Sequence, residues 1–349
     1  MSSEPKKTVV TSGVDSEYVL GDLAQVLRLR GYRVVEFNFG ERLDDIKQQL
    51  RQLANESVAY ITSSHTNFTL RTAQKMVPGF ARLYTNYLAP VEILPILKPS
   101  ISIFVPHDLL TPYGDSNVSE SLLLDLYDHV MAPSNAESVQ SQLKTGTRVH
   151  EAGWIKYQLC NSSETPTMSP ASETCSSSIR PLRITFFVSM IEHMRTKYGA
   201  IGLVDYLMPI LNSGVCVKLP AWRGIEEIEA AIGERTTAKI IPASVNSSKL
   251  IQQSDVVICN TVSSILAESI SMGVPSVCLL DNEGTEASIR LEKLADFPSI
   301  QWHPYFDRMG FPDGYLETLA KSTLPRLIRP FDFDLLESLL HTGRESLDR

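Results

Sequence analysis

The stretch Cys259-Asn-Thr-Val-Ser-Ser-Ile-Leu-Ala-Glu-Ser-Ile-Ser-Met-Gly-Val-Pro-Ser-Val-Cys-Leu-Leu280 places polar chemistry between two apolar strands. The first strand halts at Asn260 and Thr261, and two small hydroxyl residues, Ser263 and Ser264, open a helix. A helix start carries backbone N–H groups without intrahelical acceptors and the positive end of the helix dipole. Small hydroxyl side chains there let a phosphate approach and add hydrogen bonds to it. Glu268 follows on the same helical face and could accept ribose or sugar hydroxyls. The same residues also allow plainer roles, with Ser263 as a helix N-cap and Glu268 as a solvated carboxylate.

Other polar residues fall where predicted strands end: Pro106-His107-Asp108, Gly153-Trp154 and Lys218-Leu219-Pro220. In open α/β sheets, ligands bind off the carboxyl ends of the strands. His107 has the ring that titrates near neutrality, and Asp108 could orient it or replace it. A structural role for an isolated histidine after a strand is the alternative. Ser63-Ser64-His65 also closes a strand, and Arg223 could meet a phosphate or lie at the surface.

The elements that must position these groups alternate along the chain. Strands are predicted at 8–11, 32–38, 58–62, 100–105, 128–132 and 148–152. Helices are predicted at about 16–30, 43–55 and 122–127, with Gly31 ending the first. Residues 160–180 carry almost no large apolar groups and cannot bury enough surface to offset their ordering entropy. That stretch is expected to be an inter-domain linker or a mobile loop. Strands follow at 182–188, 215–219, 238–241 and 255–259, with helices at about 202–211, 225–232 and 249–253. Alternation of this kind implies parallel strands with crossover helices, here in two halves of one class.

The composition is that of an ordinary globular chain: 349 residues, 43% hydrophobic and 21% charged. The formal net charge of −8 argues against a surface that tracks nucleic acid, which needs clustered Lys and Arg. Arg28, Arg30 and Arg33 lie close together and are expected to form a solvated helix end. Five cysteines, odd in number and without metal-clip spacing, fit a reducing cytoplasm. No apolar run is long enough to span a bilayer, and no secretory signal is read at the N-terminus, so the expected localisation is cytoplasmic.

Residues 254–277, Ser254-Asp-Val-Val-Ile-Cys-Asn through Gly273-Val-Pro-Ser-Val277, resemble the donor-site signature of the GT-B superfamily. That superfamily includes nucleotide-sugar glycosyltransferases, CDP-glycerol glycerophosphotransferases and non-hydrolysing UDP-GlcNAc 2-epimerases. The resemblance implies a GT-B fold: α/β, two Rossmann-like domains with parallel sheets facing a central cleft. It divides the chain into an acceptor domain at 1–160, a linker at 161–180, a nucleotide-donor domain at 181–328 and a C-terminal helix at 329–349 packing back on the first domain. The glycerophosphotransferases have His-Gly and Lys-x-His-Pro at two strand ends, matched here by His107-Asp108 and Lys218-Leu219-Pro220. The missing second histidine favours a nucleotide-sugar donor over CDP-glycerol. Gly284-Thr-Glu-Ala-Ser288 is similar to part of an epimerase segment but lacks its second glutamate.

The function this implies is metal-independent transfer of a sugar from a nucleotide diphosphate, UDP favoured, to an acceptor hydroxyl. No cofactor is implied beyond the nucleotide sugar as co-substrate. Asn260, Thr261, Ser263, Ser264, Glu268 and Lys218 would bind the donor. His107 or Asp108 would serve as general base, and Asp15 is at the position that touches the acceptor, or is a turn former. Rival readings are sugar epimerisation or glycerophosphate transfer, a catalytically degenerate scaffold, and a phage-type glucosyltransferase acting on DNA bases, against which the acidic balance counts.

Overall fold

A computed structural model describes residues 6–12, 20, 23–37, 43–64, 88–106, 123–133, 136–141, 143, 146–155, 181–188, 191–220, 225–242, 244–260, 263–280, 300–304, 310–322 and 329–342. Contacts divide the chain into two units, Met1–Ser162 with Ile328–Arg349, and Ser163–Leu327.

The strands of the first unit are β1 (Lys6–Ser12), β2 (Tyr32–Phe37), β3 (Val58–Thr62), β4 (Ile101–Phe104), β5 (His129–Ala132) and β6 (Arg148–Glu151). They form one sheet in the order β2-β1-β3-β4-β5-β6, and every neighbouring pair is parallel. Successive side chains of a strand face opposite sides, so the central strands need apolar residues at consecutive positions. Val9 accordingly packs with Leu23, Leu27, Ile61 and Ile103, while Val10 packs on the other face with Ile46, Leu50, Tyr60 and Phe104. Helices α1 (Leu23–Leu29) and α2 (Leu43–Leu53) supply those partners at helical spacing.

Helix α3 (Pro90–Leu97) carries Pro95 internally, and that breaker hides it from a periodicity reading. Its start is well made: Pro90 sits in the first turn, where a missing N–H costs nothing, and Glu92 accepts the Ala89 N–H at 2.9 Å. The helix predicted at 122–127 is instead a single 3-10 turn, Leu124–Leu126, entered from Leu123 at φ 44°. Helix α4 (Ala136–Gln140) precedes β6.

The C-terminal helix, Phe333–Thr342, belongs to the first unit. It places Leu336 and Leu340 in the core beside Trp154, which is fully buried. The segment before it docks through the Trp154 N–H donating to Arg329 O (3.1 Å) and the Asp332 N–H to Ala152 O (2.7 Å). Arg30 donates to Asp334 and Glu337, both at 2.7 Å. Arg28 pairs with Glu36 and Arg33 with Glu56, so all three arginines of the expected basic cluster face carboxylates. An anionic backbone finds no uncompensated stripe in that trio.

On β5 and the outer strand β6, His129 Nδ1 and His150 Nε2 lie 3.0 Å apart. Burial lowers the pKa of both rings; His150 and Arg148 push His129 further down against Asp128, and Arg148 does the same to His150. An imidazole whose folded-state pKa lies below its unfolded value binds fewer protons in the native state. Its contribution to stability is therefore present above the ordinary value near 6.5 and is lost as pH falls through it. Melting temperatures followed from about pH 8 to about pH 5 are expected to decline through this window, and His129→Gln to flatten the decline.

The second unit contains β7 (Ile184–Phe187), β8 (Cys216–Lys218), β9 (Lys239–Ile241), β10 (Val256–Cys259), β11 (Ser276–Leu280) and β12 (Ile300–Pro304). All neighbours are parallel, in the order β12-β11-β10-β7-β8-β9. Counted within the unit, this is the doubly wound Rossmann order, with its switch point between β7 and β10. Helices α5 (Ile191–Leu211), α6 (Glu226–Arg235), α7 (Ser247–Gln253), α8 (Ser264–Ser271) and α9 (Tyr315–Ala320) accompany it. The helix predicted at 202–211 extends back to Ile191 across a break at Gly199 (φ 71°, ψ 171°), a conformation that suits glycine. Phe186, Val217, Ile258 and Val277 fill the core against Leu203, Leu207, Ile228 and Leu316.

Candidate functional site

Strands β10, β7 and β8 end in one register row, Cys259 beside Phe187 beside Lys218. Parallel neighbours lie about 4.8 Å apart, so the ends of β10 and β8 are separated by roughly 10 Å across the switch point. Asn260 is buried directly after β10, and Ser263 begins the next helix. A buried strand can end there because asparagine and serine turn the chain without needing further ladder partners.

Ser263 occupies the N-cap position of α8 with extended backbone (φ −139°, ψ 171°), yet its side chain makes no capping hydrogen bond. Its carbonyl accepts the Leu266 N–H at 3.1 Å. Its Oγ is buried and, among the described residues, has no hydrogen-bond partner of ordinary geometry. It lies near enough to the Cys259 thiol to offset part of the burial that pushes that thiol up to about 12. The capping role considered from sequence is therefore not the one the hydroxyl plays. A thiol is a weak hydrogen-bond partner, so this buried hydroxyl keeps capacity for an arriving acceptor oxygen. Ser264 is the first residue of α8.

Glu268 departs from the solvated reading. It is 2% exposed, and its Oε1 accepts the Ser248 hydroxyl from α7. Ile265, Leu266 and Ile270 bury the rest of that helix side, and Gly273 (φ 73°) closes the helix with its N–H on Ile270 O at 2.9 Å. Ser248 was not legible as a partner because the contact joins residues from two helices that only tertiary packing brings together. Asn246 before it carries a local signal: its Oδ1 accepts the Lys249 N–H at 3.1 Å and caps α7.

Lys218 is 6% exposed, and its Nζ donates to Pro242 O at 2.8 Å. Burial lowers its pKa. A buried ammonium needs such a partner, and this one ties the end of β8 to the loop after β9. His107, Asp108, Asp15 and Thr261 lie outside the described residues, as does Gly284–Ser288.

The sequence contains an Asp-x-Asp element, Asp332-Phe333-Asp334, of a kind that can hold a metal in other sites. Its carboxylates are used structurally: Asp332 Oδ1 accepts the Leu335 N–H at 2.8 Å, and Asp334 pairs with Arg30. Among the described residues, no three His, Cys, Asp or Glu side chains converge as metal ligands. No helix among them is long and apolar enough to cross a membrane.

No protein-family model matches the chain, and no curated protein matches it in sequence. Solved structures do match. The Staphylococcus aureus MnaA–UDP co-structure gives a TM-score of 0.59 at 11% identity, covering 98% of this chain and 97% of that one. The Methanocaldococcus jannaschii UDP-GlcNAc 2-epimerase, in complex with UDP-GlcNAc and UDP, gives 0.57 at 10% identity, covering 96% and 99%. A Listeria monocytogenes protein described as a UDP-N-acetylglucosamine 2-epimerase gives 0.54 at 11% identity, covering 97% of both chains. Two α/β units with parallel sheets, matched over nearly the whole length, give the chain the GT-B type of α/β fold.

Proposed function

We propose that the chain is a nucleotide-sugar enzyme that holds a UDP-sugar by its diphosphate at the start of α8 and transfers the sugar to an acceptor hydroxyl. The observation that carries this reading is Ser263: a helix N-terminal serine on the switch point of a Rossmann-ordered sheet whose hydroxyl lies beside the Cys259 thiol and does not cap its own helix. As the sugar–oxygen bond breaks, the departing diphosphate gains negative charge. Backbone N–H groups of the first helical turn, the hydroxyls of Thr261, Ser263 and Ser264, and the helix dipole stabilise that charge without reorganising. Asn260 lines the approach, and Lys218 brings a cation to the same sheet edge. Glu268, fixed by Ser248, presents a carboxylate toward the ribose or sugar hydroxyls. The proton leaving the acceptor hydroxyl passes to His107 or Asp108, with Asp15 contributing to acceptor binding. The nucleotide sugar is the co-substrate, and no step requires a metal.

Isothermal titration with UDP, CDP and GDP, in chelator, tests this. Saturable one-to-one binding of UDP is expected; absence of binding by every nucleoside diphosphate would overturn the reading. A second reading, 2-epimerisation, is favoured by the solved structures matched above, which are described as 2-epimerases or as a UDP complex. Incubation with UDP-GlcNAc separates the two: transfer releases UDP in proportion to acceptor, whereas epimerisation returns it still joined to a sugar.

A further inference from the structure

We infer that His129 and His150 form a chelating site for a borderline divalent cation, Zn²⁺, Ni²⁺ or Cu²⁺, on the outer edge of the first unit's sheet. His129 Nδ1 and His150 Nε2 converge to 3.0 Å, with ring centroids 5.1 Å apart and planes inclined at 45°. Two imidazole nitrogens bound to one such cation at about 2.0–2.1 Å lie roughly 2.9 Å apart at a right angle and roughly 3.4 Å apart at the tetrahedral angle. The observed spacing falls within that interval. The strands impose it: His150 stands opposite Met131, two residues along β5 from His129, so both rings rise from one face of adjacent strands.

In the metal-free pair, one nitrogen donates its proton to the other. Seating a cation needs both lone pairs, so the donor ring shifts its proton to its other nitrogen, and no net proton is released from the neutral pair. Each lone pair must also turn roughly 40° off the N···N line, within the broad χ2 range of histidine. Both rings are half-buried on the strand at the sheet's end and on its neighbour, which leaves room for water to complete the coordination shell. Asp128 and Arg148 flank the pair with opposite charges. Asp128 Oδ2 accepts the Ser102 N–H and hydroxyl at 2.7 and 2.8 Å, which fixes the carboxylate beside the pair. Imidazole donors select Zn²⁺, Ni²⁺ and Cu²⁺ over Mg²⁺ and Ca²⁺, which prefer oxygen.

Titration of the full chain with NiCl₂ or ZnCl₂ near pH 7.5 tests this, with the histidine ring protons followed by NMR. One equivalent is expected to bind saturably and to perturb two ring-proton signals. His129→Gln and His150→Gln should each abolish that binding while keeping the circular dichroism of the unmodified chain. Because either variant could also loosen β6, the unmodified chain is also titrated with MgCl₂, an oxygen-preferring cation that should leave the two ring-proton signals unmoved. Absence of saturable Ni²⁺ or Zn²⁺ binding, binding that survives in both variants, or an equal response to Mg²⁺ would overturn the site.

Discussion

Ser263→Ala is expected to weaken UDP binding by roughly ten- to a hundredfold without lowering the melting temperature. A hydrogen bond to a charged partner contributes about 1.5–3 kcal/mol, and each 1.4 kcal/mol is about tenfold in affinity. An N-cap serine that bonds its helix costs about 1 kcal/mol of stability when replaced by alanine. Ser263 makes no such bond, so the substitution removes from the folded chain only the contact of its hydroxyl with the Cys259 thiol. Ser264→Ala added to it should weaken binding further. Titration calorimetry beside a thermal melt reads both quantities. The opposite pattern, lost stability with unchanged UDP affinity, would make Ser263 an ordinary cap and remove the observation on which the proposed function stands.

Gly153→Ala is expected to destabilise the first unit by about 2–5 kcal/mol, the sum of the left-handed backbone penalty and an overpacked site. Gly153 has φ +73°, and a Cβ there would lie 2.2 Å from Pro330 O and 2.7 Å from Arg329 O. Both are backbone atoms and cannot swing aside as a flexible side chain would. They belong to the segment hydrogen-bonded to Ala152 and Trp154, so relieving the clash means lifting residues 329–332 away from the fully buried Trp154. For a unit of this size the melting temperature should fall by roughly 10 °C. Gly314→Ala is the control: it shares φ +73° but meets nothing within 4 Å, so it carries the backbone strain alone. Equal losses at the two glycines would show that the approach of Pro330 is not what holds this position.

The fold was legible where local rules and tertiary demands coincide. Val58–Thr62 is a strand within the limits its apolar run predicts, because a central parallel strand buries both faces and needs uninterrupted hydrophobicity. Helix α3 was hidden because Pro95 breaks the local rule, and buried Ile93 and Leu97 hold it in place. The helix expected at 122–127 reduces to one turn because only Leu124 and Tyr127 of 123–127 find the core, at a spacing a 3-10 turn satisfies.

The sequence alone determined that the chain alternates strands and helices in two parallel α/β halves, and that a helix opens on small polar residues directly after a buried strand. Those are short-range properties, written in hydrophobic period and in residues that stop a strand. Tertiary structure alone decided that this helix stands at the switch point between β7 and β10, that Glu268 is buried against Ser248, that Lys218 is held by Pro242, and that His129 meets His150. Each of these joins residues from separate elements, and strand order and packing bring them together where no local pattern records the pairing.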